Sequence, residues 1–109
     1  MDLEASITSA AGATVVAVSG VVDMSTVPDL HDLLRRVTGD HPGALVAVDL
    51  DGVEVLDDAG LGVLLGAAAR AREAGGDLVV VSGRLGDRFR ASGFDRAVRV
   101  HAGLAELGR

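Results

Sequence analysis

The chain is 109 residues long, 49% hydrophobic but only 2% aromatic, with a formal net charge of −6. That length suits one domain over residues 1–109, with a layered core of Val, Leu and Ala. The lack of cysteine excludes disulfides, thiolate metal sites and thiol redox chemistry, and the acidic balance argues against direct nucleic-acid binding, which needs concentrated positive charge.

Leu3–Ser9 alternates loosely and reads as a half-exposed strand. Ala11-Gly12-Ala13 is a turn, and Thr14–Ser19 is a second strand that forms an antiparallel hairpin with the first. Gly20-Val21-Val22-Asp23 is then expected to leave the sheet. Ser25 or Thr26 is placed to cap a helix with Pro28 in its first turn, where a missing N–H costs nothing. Val27, Leu30, Leu33, Leu34 and Val37 give that helix one apolar face, and Gly39 ends it before the loop Asp40-His41-Pro42-Gly43.

Ala44–Leu50 is a near-continuous apolar run, the pattern of a covered strand ending near Leu50. An acidic junction follows, and Ala59–Ala74 reads as a helix with Leu61, Leu64, Leu65, Ala68 and Arg72 along one side. Gly62, Gly66, Ala67 and Ala69 would let that helix lie close to its neighbours. Gly75-Gly76 stops it and Leu78–Ser82 is a further buried strand. Leu85–Ser92 is a short helix closed by Gly93, Ala97–Val100 a short edge strand, and Leu104–Leu107 the start of a last helix.

The expected fold is therefore α/β, in the order β-β-α-β-α-β-α-β-α. Its sheet is mixed and mostly parallel, of four or five strands with about four helices. Right-handed crossovers in sequential order put the helices mainly on one face, which leaves the other open as a surface for a homodimer.

The junction concentrates chemistry: Asp49, Asp51, Glu54, Asp57 and Asp58 fall between a strand and a helix, with Asp23 at a comparable strand end. Open α/β folds place their sites at such ends. Clustered carboxylates suit a hard cation, but helix capping accounts for Asp57 or Asp58 without one. A phospho-aspartate mechanism needs a neutralising Lys, and the chain contains none. The same absence removes the GxxxxGK[ST] phosphate loop. His31, His41 and His101 have no metal-ligand spacing, and no serine sits with a plausible His–Asp set. No catalytic machinery, cofactor or metal is expected. Residues 1–60 hold 11 acids against 2 bases and residues 61–109 hold 5 against 8, so the first half suits a basic protein partner. There is no apolar run of about 18 residues and no signal pattern at the N-terminus, so a cytoplasmic chain with no membrane segment is expected.

Gly20-Val21-Val22-Asp23 before a Pro-led helix, the stretch from Val46 to Leu65, and Arg70–Gly76 come in order along the chain. Leu78–Val81 and Arg90–Ala97 follow them. In that order and spacing they resemble a STAS domain, and more specifically the bacterial anti-sigma-factor antagonists. The resemblance implies a protein that binds an anti-sigma factor, itself a GHKL-type serine kinase, and so frees a sigma factor. In that family the motif Asp-Ser-Ser/Thr/Ala-Gly-Leu carries the phospho-acceptor directly before the Gly. Here Asp57 matches the Asp and Gly60-Leu61 the Gly-Leu, while Asp58 replaces the first Ser and Ala59 stands at the acceptor position.

Alanine has no hydroxyl, so the usual serine switch is expected to be absent. Asp58 offers one charge where a phosphoserine carries roughly −1.5 to −2, so constitutive competence is expected over permanent inhibition. The expected partner-binding residues are Asp23, Asp57, Asp58, Ala59 and Gly60, with Leu61 or Val63 as apolar contacts. The alternative is a STAS subunit of another assembly, a lipid-transport ABC complex or a stressosome-like scaffold.

Overall fold

The computed structural model describes residues 3–108 and arranges them around one five-stranded sheet of order β1-β2-β3-β4-β5. The strands are β1 (Leu3–Ala10), β2 (Ala13–Val22), β3 (Leu45–Leu56), β4 (Asp77–Val81) and β5 (Val100–His101). The helices are α1 (Val27–Asp40), α2 (Asp58–Glu73) and α3 (Gly86–Ser92). β1 and β2 are antiparallel, and every later pair is parallel. The hairpin turns on Ala11 and Gly12 alone, both at positive φ, the backbone that matches the twist of a two-residue turn.

The mixed, mostly parallel sheet in sequential order is as the sequence indicates, with two differences at the C-terminal end. The last helix is a 3-10 segment, Leu104–Gly108, and a second 3-10 turn spans Phe94–Arg96. That turn lets Phe94 pack on Phe89 at 4.8 Å between ring centroids, and it delays the edge strand to Val100–His101.

One face of the sheet takes all three helices. Val16, Val18, Val46, Val48, Leu50, Leu78 and Val80 meet Leu30, Leu34 and Val37 of α1, Leu61, Leu64 and Ala68 of α2, and Phe89 of α3 in one core. Complete burial of a Leu such as Leu64 stabilises by about 1.5–3 kcal/mol relative to exposure. The opposite face carries a smaller cluster of Ala13, Val15, Ala47, Val79 and Val81, against which Leu107 packs. Beyond it that face opens into a groove of about 320 Å³ whose lining includes Glu4, Ser6, Ser19, Asp49 and Asp51.

The largest departure from the sequence reading lies in β2 and β3. Gly20–Val22 does not leave the sheet, and β3 does not end near Leu50. Both strands run on together, with Gly20 opposite Val53 and Val22 opposite Leu56. Two register shifts, between Ala17 and Ser19 and between Gly20 and Val21, break the alternation that would have marked the extension. Gly52 is required there, since a Cβ on it would lie 2.8 Å from the Ser19 Cβ. β4 meets β3 only over Leu45–Asp49, so the second half of β3 projects beyond it with β2 as its one partner strand.

α2 also differs in detail. Its buried side is Gly60, Leu61, Leu64, Ala67, Ala68 and Ala71, while Leu65 and Arg72 are exposed. Close approach falls at Gly60, where a Cβ would lie 2.6 Å from Leu56 Cδ1 and 2.7 Å from Val22 Cγ1. Gly62 faces open space, Gly66 meets only the tip of Arg70, and Ala69 is exposed. α1 passes through Gly39 to Asp40.

Candidate functional site

The projecting ends of β2 and β3 bring Asp23 and Asp57 to one edge of the molecule, where the Asp57 N–H donates to the Val22 carbonyl at 3.1 Å. The carboxylates between them divide by task. Asp49 Oδ1 accepts from the Asp51 N–H at 3.0 Å, and Asp51 Oδ1 accepts from the Gly83 N–H at 3.0 Å. Asp51 therefore braces β3 against the loop after β4, while Asp49 holds the backbone of Asp51 within the strand. Glu54 is exposed on the projecting strand. Asp57 is the N-cap of α2: its Oδ1 accepts from the Ala59 N–H at 3.1 Å and the Gly60 N–H at 3.4 Å.

Asp58 and Ala59 begin α2 itself. The Asp58 side chain is 93% exposed, and its Oδ1 accepts from Arg88 Nη2 of α3 at 3.0 Å. This ion pair links residues thirty apart in the chain, and nothing local in the sequence signals it. Topology alone brings the cation to the start of α2. Ala59 is half-buried, its N–H held by Asp57.

The second wall of the site is the loop between β2 and α1. Neither Ser25 nor Thr26 makes a side-chain cap bond to α1, contrary to expectation. Thr26 instead ties the loop to the sheet: its hydroxyl donates to the Val21 carbonyl at 2.8 Å and accepts from the Asp23 N–H at 3.0 Å. Asp23 folds the loop ahead of the helix, its Oδ1 accepting from the Ser25 N–H, the Ser25 hydroxyl and the Thr26 N–H. These bonds, led by the Ser25 hydroxyl, hold the Asp23 carboxyl below its ordinary pKa range.

The residues expected at the site are thus gathered, but they are not equivalent. Asp23, Asp57, Asp58 and Ala59 line its two walls. Gly60 is buried against Leu56 and Val22, Leu61 is 8% exposed within the core, and Val63 packs partly against that core. Two exposed apolar residues that the sequence reading passed over stand beside the acids, Met24 and Val55. Among the described residues no group of His, Cys, Asp and Glu has the arrangement to hold a metal ion, and no helix is long and apolar enough to cross a membrane.

The family described as Mlab, STAS domain, matches residues 5–104. The chain belongs to the STAS domain family. Among the solved structures that share the fold of this chain are the following. An anti-sigma factor antagonist from Mycobacterium paratuberculosis is 26% identical, with a TM-score of 0.83 over 96% of this chain and 90% of the other. The Bacillus cell fate determinant SpoIIAA in its phosphorylated form is 15% identical, with a TM-score of 0.63 over 91% and 92%. The murine anion transporter Slc26a9 is 14% identical with a TM-score of 0.66, and there the match covers 93% of this chain but 16% of the transporter. No curated protein matches the chain.

Proposed function

We propose that this STAS domain is a protein-binding regulator of the anti-sigma-factor-antagonist kind, which docks an anti-sigma factor and frees a sigma factor without a phosphorylation switch of its own. The observation that carries the reading is Ala59. It stands at the start of α2 directly before Gly60, where the family motif places its acceptor hydroxyl, and it has none. The 26% identity to an anti-sigma factor antagonist over nearly the whole chain supports the docking role. SpoIIAA, a protein of the same fold, is known in a phosphorylated form, and Ala59 is what sets this chain apart from such a switch.

Asp58 is a poor substitute for a phosphate on this reading. It brings a single charge, and the Arg88 guanidinium already partly offsets that charge. The surface offered to the partner is Asp23, Asp57, Asp58 and Ala59, framed by Gly60, Leu61 and Val63. The partner is an anti-sigma factor of the GHKL-type serine kinase class, and the chain acts in the cytoplasm. The open sheet face stays available for a homodimer, and the Glu4, Asp49 and Asp51 carboxylates that line it would make such a dimer tighten with added salt.

The second reading, a STAS subunit of a different assembly, is favoured by the occurrence of the same fold within the Slc26a9 transporter. Capture from native extract on immobilised chain, with mass-spectrometric identification, separates the two. Recovery of an anti-sigma factor supports the antagonist, and recovery of transporter or scaffold components in its place contradicts it.

A further inference from the structure

Resting on that docking role, we infer that Met24 and Val55 form the apolar anchor of the binding surface. The partner they fit is a protein surface that presents an apolar tip ringed by basic side chains. Met24 is 76% exposed and Val55 is 50% exposed. Single exposed apolar residues are ordinary, and Ile7 on β1, Leu65 on α2 and Leu104 near the C-terminus are of that kind. Met24 and Val55 differ because the sheet brings them to the same end of the molecule. Val55 lies opposite Val21 in the ladder, Asp57 is bonded to Val22, and Met24 follows Asp23 directly.

The exposure of Met24 is built into the fold. The loop that carries it is held on one side by the nearly buried Thr26 hydroxyl and on the other by the Asp23 carboxylate, and the Val27 N–H donates to the Asp23 carbonyl at 2.9 Å. Those bonds fix the backbone on both sides of Met24, so the side chain meets a partner with little ordering cost to the backbone. Its unbranched thioether then adapts to the surface it meets. Asp23 adjoins Met24 and Glu54 adjoins Val55 in the chain, and Asp58 opens α2 at the same end of the sheet, so the surface around this apolar anchor is acidic and selects a basic partner. Leu61 is excluded as the anchor because the core already holds it.

The probe is the protein that wild-type chain retains from native extract at low salt, identified and then purified. It is titrated against wild type, Met24→Ser, Val55→Thr, Asp23→Arg and the control Leu104→Ser, all first shown to melt alike. Met24→Ser and Val55→Thr are expected to lose about five- to tenfold in affinity with no change in salt dependence, and Leu104→Ser to bind as wild type. Unaltered affinity in both site variants overturns the anchor, and it leaves the acidic docking site standing if Asp23→Arg still weakens binding. A retained protein other than an anti-sigma factor overturns the sigma-related role alone, and the same titration still decides the anchor. A wild-type chain that retains no protein overturns both.

Discussion

Ala59 and the aspartates beside it define the site at the residue scale. Asp57 satisfies two N–H groups that the start of α2 would otherwise leave unpaired. Asp57→Ala is therefore expected to lower unfolding stability by about 1 kcal/mol in urea denaturation. Ala59→Ser restores a hydroxyl at the acceptor position. Incubation with the captured kinase and Mg-ATP should label that variant and leave wild type unlabelled, as read by intact-protein mass. Asp23 gives a pH prediction. Its folded pKa is depressed, so its bonds stabilise the loop fully above the unfolded value of about pH 4 and are lost as pH falls through the folded value. In a carboxyl NMR titration Asp23 should protonate below the ordinary aspartate range, and in Ser25→Ala that depression should shrink, because the Ser25 hydroxyl contributes most to it.

The glycines of α2 separate packing from propensity at the element scale. Gly60 lies against Val22 and Leu56, so Gly60→Ala must displace one of them and is expected to destabilise by about 1–3 kcal/mol. Gly62 faces open space, and Gly62→Ala should stabilise by up to about 1 kcal/mol through helix propensity. Chemical denaturation of the two variants should therefore move in opposite directions. The sequence marked Gly62 for close approach, because composition shows that a residue is small but not which way it faces.

Other elements show the same boundary of legibility. The helix faces of α1, the apolar runs of β3 and β4, and the order of elements were readable because each follows a simple period or run. The continuation of β2 through Val22 and of β3 through Leu56 was not. Gly20, Gly52 and the polar Asp51 and Glu54 read as loop signals, and two register shifts erase the alternation. Those carboxylates are tolerated in a strand because β3 projects past β4 and meets solvent or backbone N–H groups there. Asp23, Asp57 and Ala59 could be picked out from the sequence, since each sits at a strand end or helix start. Arg88 and the Met24–Val55 pair could not, because only the folded sheet brings them to that edge.

At the scale of the whole molecule, charge and topology agree. The acidic first half contributes β2, β3 and the start of α2, and the site lies where those elements meet. Arg88, from the basic second half, reaches that edge and pairs with Asp58. The resulting surface is pre-formed and acidic, and Ala59 offers no hydroxyl by which a kinase could alter it. Docking on this surface is therefore constitutive in the proposed role. The direct measurement is the affinity of wild-type chain for its purified anti-sigma factor, before and after incubation with that protein and Mg-ATP. An unchanged affinity and an unmodified mass are predicted; loss of binding with phosphate on any residue of the chain, Ser25, Thr26 or Ser92 included, contradicts it.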